Sequence, residues 1–193
     1  MNTLPLLLER LSTLINQTVR DDAARHGLLP IHLLVLGYLG RANRYSDLPI
    51  AIAEYFGLTR GTVSQTIAVL ERRGLLTKAA DARHGRRVHL QLTPQATQLM
   101  QDTWMQRLDE TLQTGPTGGS AAEQTLRGVL TQLQRLNQQR PFGVCQHCAH
   151  FQAGGTASAH CGLTGEPLID DQPERICREW SAPVTMKTPA PAQ

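Results

Sequence analysis

The chain has 193 residues, room for one good core and a small appended module. Its aromatic content is only 4%, which suits a helix-rich core of Leu, Val and Ala. No apolar run approaches the ~20 residues that cross a bilayer. The N-terminal stretch has no basic lead and is interrupted by Glu9 and Arg10, so no secretory signal is expected. A cytoplasmic protein is expected, in which cysteines stay reduced and serve as metal ligands or redox groups.

The formal charge is +3, unevenly spread. Between Thr59 and Arg87 seven basic residues face two acidic ones, a net +5. From Pro141 to Ser181 two basic residues face five acidic ones, a net −3. The first stretch suits phosphates and the second does not.

Residues 3–25 carry Leu4, Leu7, Leu8, Leu11, Leu14, Ile15 and Val19 at helical spacing. Gly27 ends this helix, and Pro30 opens the next, where its missing N–H costs nothing. That helix buries Ile31, Leu34, Val35, Tyr38 and Leu39, and Gly40 stops it. Ser46 or Asp47 is expected to cap a short helix running to about Tyr55. After Gly57 a second helix runs from Arg60 to about Arg73, which gives a helix-turn-helix. Leu75–Thr77 and the alternating Val88–Leu92 then predict a β-hairpin with a basic tip, a wing. Thr93 caps one long helix over 94–113, with Pro94 at its first position. Gly115–Gly119 breaks it, and Ser120 caps a last helix to about residue 139. The tail from Ala182, rich in Ala and Pro, is expected to be disordered.

The helix from Thr59 to Arg73 is the expected recognition helix. Thr59, Arg60, Thr62, Ser64 and Gln65 lie in its first turns, where such helices meet base edges. Arginine pairs with guanine, glutamine with adenine, and hydroxyls bond phosphates or bases. Val63, Ile67 and Leu70 should face inward. Arg83, Arg86 and Arg87 cluster on the wing, placed to hold phosphates or enter a minor groove. Asp81 is expected to stiffen the hairpin by accepting from Arg83 or Arg86.

The stretch Leu58–Leu76 resembles the recognition helix of the MarR family, and Asp81-Ala-Arg83, Arg86 and Leu90-Gln-Leu-Thr93-Pro resemble its wing and the start of its next helix. Residues 3–139 match that family in helix order and length. The resemblance implies a homodimer built on helices 3–25, 94–113 and 120–139. Its two recognition helices would read a palindromic double-stranded DNA operator, with half-sites roughly 34 Å apart.

All four cysteines lie after residue 140, in the pattern C-x2-C-x12-C-x15-C: Cys145, Cys148, Cys161 and Cys177. Four thiolates can hold a tetrahedral zinc or an iron–sulfur cluster, or act as a dithiol switch. His147, His150 and His160 are nearby and read as solvated loop residues. Cys145-Gln-His-Cys148-Ala-His-Phe151, Cys161-Gly-Leu163-Thr-Gly165 and Ile176-Cys177-Arg-Glu-Trp180 resemble the ligand loops of high-potential iron–sulfur proteins. That resemblance implies one [4Fe–4S] centre on all four cysteines, with zinc as the alternative. Phe142, Phe151 and Trp180 would keep water off such a centre.

The sequence thus predicts a mainly α protein: a winged helix-turn-helix with a two-stranded β-wing and a helical dimerisation region, then a small irregular cysteine-rich metal module. The boundaries fall at 1–140, 141–181 and 182–193. The expected function is a transcription regulator, a repressor, whose operator binding answers to the cluster as it senses redox state, oxygen, nitric oxide or iron. A second reading is the same regulator with structural zinc, responding to a small aromatic ligand. A third is an electron-transfer protein that docks through its winged helix. No Ser/His/Asp or Gly-rich phosphate-binding pattern occurs, so an enzyme is not expected.

Overall fold

The computed structural model describes residues 3–81, 87–114, 120–154 and 159–183. Four helices open the chain: α1 (Leu4–Arg25), α2 (Pro30–Leu39), α3 (Pro49–Phe56) and α4 (Arg60–Arg72). The wing follows as β1 (Leu76–Ala80) and β2 (Val88–Leu92), antiparallel, with Leu76 opposite Leu92 and Lys78 opposite Leu90. Then come α5 (Pro94–Met100), α6 (Trp104–Thr114) and α7 (Ser120–Leu136). The last third holds only short pieces. β3 (Gly143–Val144) pairs with β6 (Ile176–Cys177), and β4 (Phe151–Gln152) pairs with β5 (His160–Cys161).

The core follows the periodicity on α4, whereas on α2 it takes Leu33 and Leu36 and leaves Ile31 and Leu34, expected inside, only partly buried. Val19 and Ala23 of α1 meet Leu33, Val35, Leu36 and Tyr38 of α2, Ile52 of α3, Val63, Ile67 and Leu70 of α4, and Leu76 and Leu90 of the wing. Gly57 takes the left-handed conformation (φ 64°) that closes the turn after α3, and glycine adopts it without steric cost.

Two local expectations are corrected. The helix over 94–113 is two helices, broken at residues 101–103. Thr103 Oγ1 donates to the Met100 carbonyl at 2.8 Å, and Asp22 accepts the Trp104 N–H at 2.6 Å. A buried carboxylate on α1 thus starts α6. Nor does Ser46 or Asp47 cap α3. Its N-cap is Leu48, without a side-chain cap, and Pro49 supplies the first helical position. Ser46 and Asp47 hold tertiary partners instead. Thr93 does cap α5, accepting the Ala96 N–H at 3.2 Å.

Large apolar side chains remain exposed on the terminal helices: Leu4, Leu6, Leu7, Leu11 and Leu14 on α1, and Leu126, Leu130, Leu133 and Leu136 on α7. No described helix is long and apolar enough to cross a membrane.

Candidate nucleic-acid interface and cysteine module

The expected recognition helix, α4, divides into two faces. Val63, Ile67 and Leu70 are buried, at 2%, 4% and 0% exposure. Arg60, Thr62, Ser64 and Gln65 are all exposed. The helix is therefore held by one side and offers the other. Thr59 has a second duty that the base-reading expectation did not include. Its Oγ1 accepts the Thr62 N–H at 3.1 Å and pairs with the Thr62 hydroxyl at 2.9 Å. It is the N-cap of α4.

At the wing, Arg87 is exposed beside β2, and its carbonyl accepts the Asp81 N–H at 3.0 Å. Arg83 and Arg86 lie outside the described residues, so the expected Asp81 pairing with them does too. Asp81 has another partner: its Oδ2 lies 3.2 Å from His89 Nε2. The other ring nitrogen, Nδ1, lies 2.6 Å from Asp47 Oδ1. Asp47 also accepts the Leu90 N–H through its carbonyl at 2.8 Å. The loop between α2 and α3 thus grips the wing strand twice. Burial opposes a charge on His89, but the two carboxylates outweigh it and raise its pKa above the ordinary histidine value.

The cysteines come together in a second small core. Cys145 and Cys177 are buried with Leu168 and Trp180, and Cys148, Cys161, Phe151 and Tyr45 pack against them. Cys148 Sγ accepts two backbone N–H groups, from Ser181 at 3.4 Å and His150 at 3.5 Å. The neighbouring Cys177 sulfur, with burial, pushes the Cys145 thiol up. Cys145 in turn holds Cys177 below the ordinary thiol value. Asn43 and the Glu179 N–H add to that lowering against burial. Asn43 Nδ2 makes no hydrogen bond of normal geometry, so its influence comes from proximity. Among the described residues, no three or more His, Cys, Asp or Glu side chains are gathered to hold a metal ion as they stand. The thiols share one core. His147 and His160 are exposed and His150 half-buried.

Of the three aromatics expected around the cysteines, Phe142 belongs elsewhere. It joins the winged-helix core, with its ring 5.2 Å from that of Tyr55 and nearly perpendicular at 87°. Trp180 fills the cysteine core. Its Nε1 donates to the His147 carbonyl at 3.0 Å, and its ring covers Gly143 so closely that a Cβ there would sit 2.6 Å from it.

How the module sits on the winged helix is visible only in the structure. β6 pairs with the loop between α2 and α3: Ile176 N–H donates to the Arg41 carbonyl at 2.7 Å, and Asn43 N–H to the Ile176 carbonyl at 2.9 Å. Arg178 N–H donates to Ser46 Oγ at 2.8 Å, and its guanidinium forks onto the Glu54 carboxylate of α3 at 2.9 Å. Arg44 pairs with Glu166 at 2.7 Å. Asn43, Ser46, Glu54 and Arg178 were missed because a lone polar residue in a loop carries no mark of a partner more than a hundred positions away.

Residues 26–87 match the model of the MarR family. Among curated proteins no relative matches the chain. Several solved structures share the fold. S. aureus MepR in its DNA-binding conformation is 24% identical, with a TM-score of 0.58, over 70% of this chain and 99% of that one. A S. aureus MepR–DNA complex gives 23% and 0.51, over 70% and 99%. CouR from Rhodococcus jostii RHA1, bound to p-coumaroyl-CoA, gives 19% and 0.52, over 70% and 92%. The winged helix of this chain is thus similar to that of the MarR family, within a fold shared with MepR and CouR.

Proposed function

We propose that the chain is a DNA-binding transcription regulator, a repressor that acts as a homodimer on a palindromic operator. Its cysteine module would hold a [4Fe–4S] cluster through which redox state, oxygen, nitric oxide or iron supply sets operator affinity. The observation that carries the DNA-binding part is α4, with three core residues behind it and Arg60, Ser64 and Gln65 free on its outer face. The family match spans this helix and the wing, and MepR, of the same fold, has been captured on DNA. The exposed leucines of α1 and α7 support a second copy, since a contiguous apolar stripe is unfavourable in water.

The donor set supports the cluster. Four thiols share one apolar core, and two amides donate to Cys148 Sγ. These are the surroundings of anionic sulfur. Either group, cluster or single zinc, would be held by the same four thiols. When bound, the cluster would supply one-electron redox chemistry and sensitivity to oxygen. The protein's part is to seat it with Cys145, Cys148, Cys161 and Cys177 and to keep water away with Trp180, Phe151 and Leu168.

One cavity favours the second reading, structural zinc with a small aromatic effector. It measures about 590 Å3, between α2, the wing and α5–α6, and its lining includes Leu36, Met100, Met105, Arg41 and Arg44. CouR, of the same fold, holds an aromatic thioester.

The test is to purify the protein without oxygen, measure iron, sulfide and zinc per chain, and select bound DNA from random sequence. The cluster reading expects iron and sulfide near about four each. One zinc and no sulfide would move the site to the second reading. Gln65→Ala and Arg60→Ala should each weaken operator binding by about 1–3 kcal/mol, with stability unchanged within about 0.5 kcal/mol because both side chains are exposed. No sequence-specific DNA binding in any metal state would end the regulator reading.

A further inference from the structure

We infer that the cysteine module acts on the wing of its own protomer, through the loop of residues 41–47, and not by way of the helices α1 and α7. This inference rests on the regulator reading and specifies how it would be regulated.

The contacts begin beside Cys177. The residue before it, Ile176, is bonded on both its N–H and its carbonyl to Arg41 and Asn43, at 2.7 and 2.9 Å. The residue after it, Arg178, is bonded through its N–H to Ser46 Oγ at 2.8 Å. The backbone carrying this cysteine is therefore fixed to the loop on both flanks, and a displacement of Cys177 must be passed to it. Asn43 and Ser46 are both 0% exposed, and their side chains bond each other at 2.8 Å. A buried polar pair does not slide readily, because each group must keep a partner as it moves.

The same loop holds the wing. Asp47 is the next residue after Ser46 and meets β2 at two points, its carboxylate on His89 and its carbonyl on the Leu90 N–H. His89 then spans to Asp81 at the end of β1. From Cys177 to both wing strands the path is Ser46, Asp47, His89, Asp81, without leaving the protomer. A second attachment fixes the module to α3, where Arg178 forks onto Glu54. Toward α7, by contrast, exposed His147 and Glu123 face each other at 3.9 Å, and Arg140, exposed and past the end of that helix, bonds the Arg178 carbonyl at 3.0 Å and Glu179 at 2.6 Å. Exposed pairs transmit little.

The experiment is hydrogen exchange by mass spectrometry on the full-length wild type and on Cys177→Ser, Asp47→Asn and the double variant. Cys177→Ser should speed exchange about tenfold or more in segments 41–47 and 88–92, and leave 120–136 within about twofold. In the Asp47→Asn background, Cys177→Ser should still loosen 41–46 but add less at 88–92, where only the backbone bond from Asp47 to Leu90 remains. Loosening of 120–136 with 88–92 unchanged would overturn the inference, as would a full additional increase at 88–92 in the double variant. Should Cys177→Ser lose protection everywhere, Ser46→Ala takes its place. It keeps all four cysteines and removes the acceptor of the Arg178 N–H together with the bond to Asn43, and an unchanged wing in that variant would equally overturn the inference. Operator binding is scored separately. In Ser46→Ala the ratio of affinities of metal-loaded and chelator-stripped protein should approach one, where the wild type departs from one. A wild type that binds no DNA would end the regulator reading, and the exchange result would still decide the coupling.

Discussion

His89 shows how much one side chain can be asked to join. Its imidazole stands between Asp47 and Asp81, and both nitrogens are engaged. Because its pKa is raised in the folded chain, the stabilisation is complete below the unfolded value of 6.5 and is lost as pH rises through the folded value. Burial also raises the Asp47 carboxyl, more than the imidazole lowers it, and this acts in the same direction at lower pH. Stability measured by urea unfolding should therefore fall as pH rises past neutrality, and His89→Gln should flatten that decline. His89→Ala should cost about 1–3 kcal/mol near pH 6, since it leaves the half-buried Asp47 without its partner. A decline of equal slope in both variants and the wild type would assign the pH dependence to other groups. Nothing in the alternating Val88–Leu92 strand marked His89 as more than a polar position; its role depends on a loop some forty residues earlier.

At the level of elements, what could be read from the sequence was what depends on neighbours within a turn or two. The buried face of α4, the Thr93 cap and the turn at Gly57 are local patterns and appear as expected. The break between α5 and α6 is not local. It rests on Asp22, 1% exposed on α1, which takes the Trp104 N–H, both oxygens bonded by Arg107, and Arg25 as well. Burial works against ionisation of Asp22, yet the arginines and the amide together lower its pKa. Its contribution is therefore present above 3.8 and lost as pH falls through the lower folded value. Asp22→Ala should destabilise by about 1.5–3 kcal/mol, the scale of hydrogen bonds to a charged group. Thr59→Ala, which removes one cap bond, should cost about 1 kcal/mol. Thermal or urea unfolding of the two variants side by side checks the order; equal losses would mean that the α1–α6 junction is no stronger than an ordinary helix cap. Thr59 also warns against reading every hydroxyl on a recognition helix as a DNA contact, because part of any binding defect there is loss of the helix start.

For the molecule as a whole, the cysteine spacing announced a separate module, and its thiols do share a core of their own. Its placement could not be foreseen, because the residues that seat it are single polar groups in the loop before α3. The charge asymmetry becomes intelligible once the seating is known: Glu166 and Glu179 of the module's acidic stretch are occupied by Arg44 and Arg140. Phe142, counted with the module by its position in the chain, packs with Tyr55 in the other core. The boundary at residue 140 therefore separates stretches of sequence but not units of folding. Ending the chain there would take one partner each from Ser46 and Tyr55 and open the winged-helix core where Phe142 now closes it. A shortened protein is then a poor control for the proposed function, because a loss of DNA binding would report damage to the winged helix. Heating the intact chain should melt both cores in one cooperative transition, so that a change at the cysteines alters the stability of the winged helix directly.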